Sequence, residues 1–225
     1  MSDGLNALYK EQKNVFLNHN FVTVMPLQGK QQNIDISPDE TVIDIDLRHG
    51  ERKSDKVVEV LPFSLRTQAT PNGKQATFMS NRIKAYWLRW ESKGAVSLTL
   101  DSEADYFFTS ELNGCQIVAV GGPGGTLKVS HIAGDKGGAS WRRARANSFI
   151  AKEGAPGAES RRLSSTNENP GLPAYDNDDV LWTNVLGFRT KPLCGAQFWE
   201  LYYQVVTADA NDRLVAEDAR RMYPQ

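Results

Sequence analysis

Cys115 and His131 are the residues whose types and spacing could do chemistry together. The chain holds two cysteines and three histidines, and this pair flanks a turn sequence. Gln116-Ile117-Val118-Ala119-Val120 is apolar and rich in β-branched residues, Gly121-Gly122-Pro123-Gly124-Gly125 can only turn, and Thr126 to Ile132 resumes strand character. That pattern predicts a β-hairpin. With the Gly/Pro stretch as the whole loop, Val120 pairs with Thr126, Ala119 with Leu127, Ile117 with Val129 and Cys115 with His131. Directly opposed side chains share a face, with Cβ atoms roughly 4.5–5.5 Å apart. At that distance an imidazole can take the thiol proton and leave a thiolate, the nucleophilic form of cysteine. The prediction hangs on register, because a slip of one residue would turn one of the two to the opposite face.

The residues just before Cys115 fit the same chemistry. Asn113 and Gly114 bring the thiol to the start of its strand after a flexible backbone step, where N–H groups could hold an oxyanion. Cys194, between Leu193 and Gly195 with no histidine nearby in sequence, reads as structural. The expectation is therefore that Cys115 reacts faster than Cys194 with an alkylating reagent, in a His131-dependent way.

The elements that must position this pair are mostly strands. Residues 3–19 have the apolar spacing of an amphipathic helix, and residues 209–223 read as a closing helix with Leu214, Val215, Ala219 and Met222 inward. Strands are predicted over 21–27, 41–47, 57–65, 77–90, 95–100, 180–190 and 197–207, beside the hairpin; in 41–47, Ile43, Ile45 and Leu47 alternate with Asp44 and Asp46. Residues 48–56, carrying His49, read as a solvated loop, and Thr70-Pro71-Asn72-Gly73 as a turn. Residues 151–179 lack periodic apolar content and read as a long functional or mobile loop. The sum is an α+β fold: mixed, largely antiparallel sheets packed as a sandwich with flanking helices, in one domain spanning 1–225.

Composition excludes several classes. With 26 basic against 27 acidic side chains in 225 residues, the charge balance leaves no footprint for nucleic acid. Tyr86, Trp87 and Trp90 interleaved with Lys84 and Arg89 accordingly read as sheet packing rather than a base-stacking platform. No apolar run is long enough to span a membrane, and residues 1–14 are too polar for a Sec signal peptide. No metal or cofactor is expected: His19 and His49 lack a ligand cluster, Asp176-Asn177-Asp178-Asp179 lacks EF-hand spacing, and Gly121 to Gly125 has no following Lys-Ser/Thr.

Phe108-Thr109-Ser110-Glu111-Leu112-Asn113-Gly114-Cys115, with a histidine one hairpin later, resembles the Leu-Ser-Gly-Cys motif of bacterial glutamine deamidases. These are the catalytic domain of cytotoxic necrotizing factor and the Burkholderia lethal factor, with the chemotaxis receptor deamidase CheD more distant. The resemblance implies an α/β sandwich whose Cys-His pair hydrolyses a protein glutamine side chain to glutamate. By it, Cys115 is the nucleophile, His131 the base and Thr109 the residue orienting the histidine, with Leu112 and Gly114 in the motif; Asn113 stands where serine is usual.

It also implies a toxin or effector made in a bacterial cytoplasm, secreted or delivered into a host cytosol, acting as a monomer on a protein substrate. Target choice would then be written in loops such as the basic segment Trp141, Arg142, Arg143 and Arg145. Two kinds of rival remain open at the level of sequence. One is a transglutaminase or cysteine protease using the same thioester logic; the other is a non-enzymatic binding module with Cys115 and His131 in its core.

Overall fold

The structure, a computed structural model, describes residues 2–13, 16–17, 21–24, 39–49, 57–63, 82–135, 137–164, 180–211, 214–216 and 219–224. Two sheets face each other. The larger has the strand order β1 (Phe21–Val24), β3 (Val57–Phe63), β2 (Val42–His49), β4 (Ile83–Leu88), β6 (Tyr106–Thr109), β10 (Val180–Thr190), β11 (Phe198–Ala208) and β12 (Leu214–Ala216), with β13 (Arg220–Tyr223) also on β11. The smaller has the order β5 (Ala95–Leu100), β8 (Leu127–Ile132), β7 (Gln116–Gly121) and β9 (Ser160–Ser164). Pairing is antiparallel except for β1 with β3 and β4 with β6. The predicted mixed, largely antiparallel α+β sandwich is the fold observed.

Strand alternation builds the layers. In the larger sheet Phe107, Val185, Leu201 and Tyr203 face one way, into a core shared with Leu98, Ile117, Ala119 and Val129 of the smaller sheet. Ile43, Ile45, Phe108, Leu186 and Phe188 face the other way, under helix α1 (Ser2–Glu11) and the residues that follow it. Tyr9 anchors that outer layer, buried against Phe16, Phe108 and Phe188. Asn6 fastens α1 to β2 by donating to Asp46 Oδ1 at 3.0 Å and accepting the Leu47 N–H at 3.0 Å. On the far face of the smaller sheet, helix α2 (Gly138–Glu153) packs Ala146, Phe149 and Ile150 on Val118, Val120 and Ile132. The order is thus helix, large sheet, small sheet, helix.

Three expectations are corrected. Within residues 209–223, Leu214–Ala216 and Arg220–Tyr223 form β12 and β13, where a helix was predicted. Asp209 accepts the Asn211 N–H at 2.8 Å and turns the chain back, and the open edge of β11 then pairs with both segments. Backbone bonding to that edge outweighs a weak helical pattern, as Val215, predicted inward, shows by lying exposed while Met222 is buried. Residues 138–153, which were given no element, form α2, because its inward face is built from Arg142, Ala146, Phe149 and Ile150 and gives little apolar signal. The predicted 151–179 loop begins with the last turn of α2 and holds β9, whose Leu163 pairs with Ile117. The predicted turn at 70–73, the loop at 51–56, His19 and Asp176 to Asp179 lie outside the described residues.

The other predicted strands are present with altered ends. The 21–27 prediction is observed over Phe21–Val24, 41–47 extends to His49, 57–65 ends at Phe63, and 77–90 is observed over Ile83–Leu88. The 95–100 and 180–190 predictions match β5 and β10, and 197–207 is offset by one residue from β11.

Candidate active site

The hairpin forms, in a register two residues away from the predicted one. Ile117, not Cys115, lies opposite His131, and Gly121 pairs with Leu127. The loop is the stretch Gly122 to Thr126: the Gly122 N–H donates to Thr126 O at 2.9 Å, and Thr126 Oγ1 donates to Pro123 O at 2.9 Å. The turn chemistry of threonine and proline draws Gly121 into the ladder, and every pair moves with it. Because side chains alternate with period two, an even slip preserves the face. Cys115 therefore still shares a face with Ile117, Ala119 and His131, the face turned to the larger sheet. It stands diagonal to His131 rather than directly across, just before its strand begins.

The segment before Cys115 crosses from one sheet to the other. Thr109 ends β6 in the larger sheet. Leu112 is pinned to β10, its N–H donating to Thr183 O at 2.8 Å and its C=O accepting the Thr183 N–H at 3.0 Å. Gly114, with φ +75°, then adopts a left-handed conformation that favours glycine and turns the chain into the smaller sheet at Cys115. Asn113, where serine is usual in the resembling motif, is exposed and lines the cleft.

A residue that the sequence reading missed supports this bend. The Gly134 Cα abuts the Gly114–Cys115 peptide so closely that a Cβ there would lie 2.1 Å from Gly114 O. Only the glycine-rich character of the stretch after His131 could have signalled it. Arg142 also reaches Gly134, donating to its carbonyl oxygen at 3.4 Å.

Thr109 and His131 meet across the sandwich, Oγ1 to Nδ1 at 3.0 Å. Thr109 Oγ1 also lies 2.8 Å from Leu88 O. Two oxygens at that distance need a hydrogen between them, and only the hydroxyl has one, so Thr109 donates to Leu88. Towards the ring it can then only accept, which makes Nδ1 the protonated nitrogen and leaves Nε2 with its lone pair. His131 is 2% exposed, and Nε2 has no hydrogen-bond partner among the described residues. Burial pushes the imidazole pKa down to about 3, so the ring is neutral at pH 7.

Cys115 is 4% exposed, and its Sγ hydrogen-bonds to Asn113 O at 3.9 Å rather than to the imidazole. Burial pushes the thiol pKa up, against backbone hydrogen bonding at Gly134 and Asn113; the Asp135 carboxylate adds to the rise and the Arg142 cation opposes it. The resting pair is therefore a neutral thiol and a neutral imidazole. Cys194 is exposed, which corrects its reading as a structural cysteine. Burial of Cys115 and exposure of Cys194 also reverse the expected order of alkylation in the free protein, since the thiolate is the reacting form.

Cys115 opens onto a cleft of about 500 Å³ whose walls include Trp87, Trp90, Glu111, Asp135, Leu181 and Trp182. Trp90 and Leu181 are partly exposed at it, whereas Tyr86 and Trp87 are buried, so packing accounts for those two aromatics of β4. Trp141, Arg142, Arg143 and Arg145 all lie on α2, and none of the four lines the cleft; Arg142 is buried, while Arg143 and Arg145 are exposed. Among the described residues no group of three His, Cys, Asp or Glu side chains could hold a metal ion, and no helix is long and apolar enough to cross a membrane.

Fold and site together define an α+β sandwich that gathers a thiol, an imidazole and a hydroxyl between its two sheets. The C-terminal domain of CNFy from Yersinia pseudotuberculosis has a similar fold: the TM-score is 0.51 at 9% identity, over 98% of this chain and 97% of that one. No protein-family profile matches the chain, and no curated protein matches its sequence.

Proposed function

We propose that this chain is a cysteine-dependent protein-glutamine deamidase, with Cys115 as nucleophile, His131 as base and Thr109 holding the base in its tautomer. The observation that carries the proposal is the buried Nε2 of His131, which has no partner among the described residues, is left free by the Thr109 bond and is set on the same sheet face as Cys115. A buried nitrogen with a lone pair and no partner is costly as pure structure, and a reacting proton would satisfy it. The resemblance of the Thr109 to Cys115 segment to glutamine deamidases, and the fold shared with the CNFy domain, support the same reading.

In the proposed reaction Cys115 Sγ attacks the carboxamide carbon of a glutamine in the cleft while its proton passes to His131 Nε2. Transfer within the pair leaves the buried site neutral overall, which neither a lone thiolate nor a lone imidazolium would do. The backbone of Asn113 and Gly114 is the proposed support for the oxyanion, since the Leu112 N–H, expected from the sequence to share that role, is taken by Thr183 O. The C–N bond then breaks as Nε2 returns the proton to nitrogen, and ammonia leaves. Water adds to the thioester, giving its proton to Nε2; the S–C bond breaks, and the sulfur recovers a proton. No metal or cofactor enters this scheme. As an effector, the chain would act as a monomer on a host cytosolic protein after delivery from a bacterium, with the exposed basic residues of α2 available for target recognition away from the cleft.

Mass spectrometry of candidate substrate proteins incubated with the wild type and with Cys115→Ser tests the proposal. The expected result is glutamine converted to glutamate by the wild type alone. Amine incorporation would favour a transglutaminase and chain cleavage a protease. Equal cell toxicity of the wild type and a folded Cys115→Ser variant would favour a binding module.

A further inference from the structure

We propose that Asp135 makes the cleft selective for a neutral carboxamide over a carboxylate, so that a glutamine side chain is admitted and the glutamate product is expelled. This rests on the deamidase reading for its substrate. Hydrolysis of a carboxamide creates a negative charge where none stood before. A cleft that carries negative charge of its own therefore tolerates the substrate and repels the product.

The charges facing the cleft are unequal. Glu111, itself engaged within the protein, and Asp135 bring carboxylates to the lining, and Arg89 a guanidinium whose Nη2 is engaged by Glu91 Oε2 at 3.2 Å. The buried Arg142 cation reaches the Gly134 carbonyl and does not line the cleft. Asp135 is the carboxylate that the fold fixes. Ser92 Oγ donates to Oδ2 at 2.7 Å and the Lys93 N–H donates to Oδ1 at 2.8 Å. Lys93 adopts a left-handed backbone, φ +56°, in the turn that wraps this carboxylate. These two bonds, the Ser92 one first, hold the Asp135 carboxyl below the usual carboxylate range and keep it ionised. Asp135 directly follows Gly134, whose backbone abuts the Gly114–Cys115 peptide, so the charge is anchored beside the nucleophile's own support. The Lys93 ammonium offsets part of this charge but does not line the cleft.

Two alkylating reagents carry the contrast without requiring turnover: iodoacetamide is a neutral carboxamide, and iodoacetate is its anionic counterpart. The rate ratio of the two at Cys115 is measured at mildly alkaline pH by peptide mass spectrometry, with exposed Cys194 as the internal reference. The expected ratio favours iodoacetamide at Cys115 more than at Cys194. Asp135→Asn should shrink that excess by about twofold at low ionic strength, what one unit charge does across about 10 Å of water-like dielectric before screening, and added salt should shrink it too. Ser92→Ala removes a bond of the clamp while keeping the charge, and should leave the excess largely intact.

An Asp135→Asn ratio equal to wild type overturns the proposal. So does loss of the excess in Ser92→Ala alone, or a Cys115 that reacts with neither reagent. Because the ratio is independent of catalysis, it survives if no glutamine is ever converted. Failure of the deamidase reading and failure of the charge proposal are thus separate results.

Discussion

Replacing His131 with asparagine should flatten the loss of stability between about pH 7 and pH 5. An ordinary histidine titrates near 6.5, whereas burial holds His131 at about 3. Between those values the unfolded chain binds a proton that the folded chain refuses, so folding stability is complete above the ordinary pKa and falls as pH drops below it. Each pH unit in that window costs about 1.4 kcal/mol, and the 1.5 units from 6.5 to 5 cost about 2 kcal/mol. Any folded pKa below about 4 yields nearly the same figure, so the result does not depend on the exact depression. Asp101, Asp135, Glu153 and Glu200 also have lowered pKa values, but their contribution is lost only as pH falls through the ordinary carboxylate range, about 4. Titration elsewhere in the chain is common to both proteins and cancels. Urea unfolding of wild type and His131→Asn at the two pH values measures the difference, and the wild type should lose about 2 kcal/mol more. Equal losses would mean that the ring is wet and protonates freely. The assignment of the ring proton to Nδ1, and with it the proposed base at Nε2, would then fail.

Thr109→Val keeps shape but leaves the Nδ1–H without its acceptor, for a stability loss of about 1–3 kcal/mol; glutamine conversion should fall by about 10²-fold or more, and Thr109→Ser should restore most of it. If valine and serine behave alike in turnover, the hydroxyl does not set the tautomer. Gly134→Ala places a methyl 2.1 Å from Gly114 O, and thermal unfolding should show a loss of at least about 1–3 kcal/mol; unchanged stability would mean that this approach is looser than observed. Timed alkylation of the free protein near neutral pH should modify Cys194 before Cys115, because burial raises the Cys115 thiol pKa. The opposite order would reveal a preformed thiolate.

Much of the site was legible in the sequence because it depends on parity. The apolar runs on either side of Gly121 to Gly125 demand a hairpin, and Cys115 and His131 both belong to its odd-numbered positions. Any even register puts them on one face. The resemblance around Thr109 pointed to the third residue before its partner was visible. The register itself was not legible, because it turns on where Thr126 closes the loop onto Gly122 and Pro123, a choice between similar turns that differ by two residues. Local pattern also misjudged residues 209–223: Leu214, Val215, Ala219 and Met222 suit a helix, but the free edge of β11 offered backbone bonds that no local spacing records. Helix α2 was hidden for the converse reason, since an inward face containing Arg142 and Ala146 looks polar until the sheet beneath it is seen.

What the sequence by itself determined is the strand alternation, the sandwich class and the pairing of thiol with imidazole on one surface, all consequences of period and composition. Tertiary structure alone decided that Thr109, in the other sheet, lends its oxygen to Nδ1, that Gly134 and Arg142 brace the bend at Cys115, and that the Cys115 thiol and the His131 imidazole both rest neutral. Those depend on contacts between segments far apart in the chain and on how much water each group loses, and neither is encoded in the spacing of neighbouring residues.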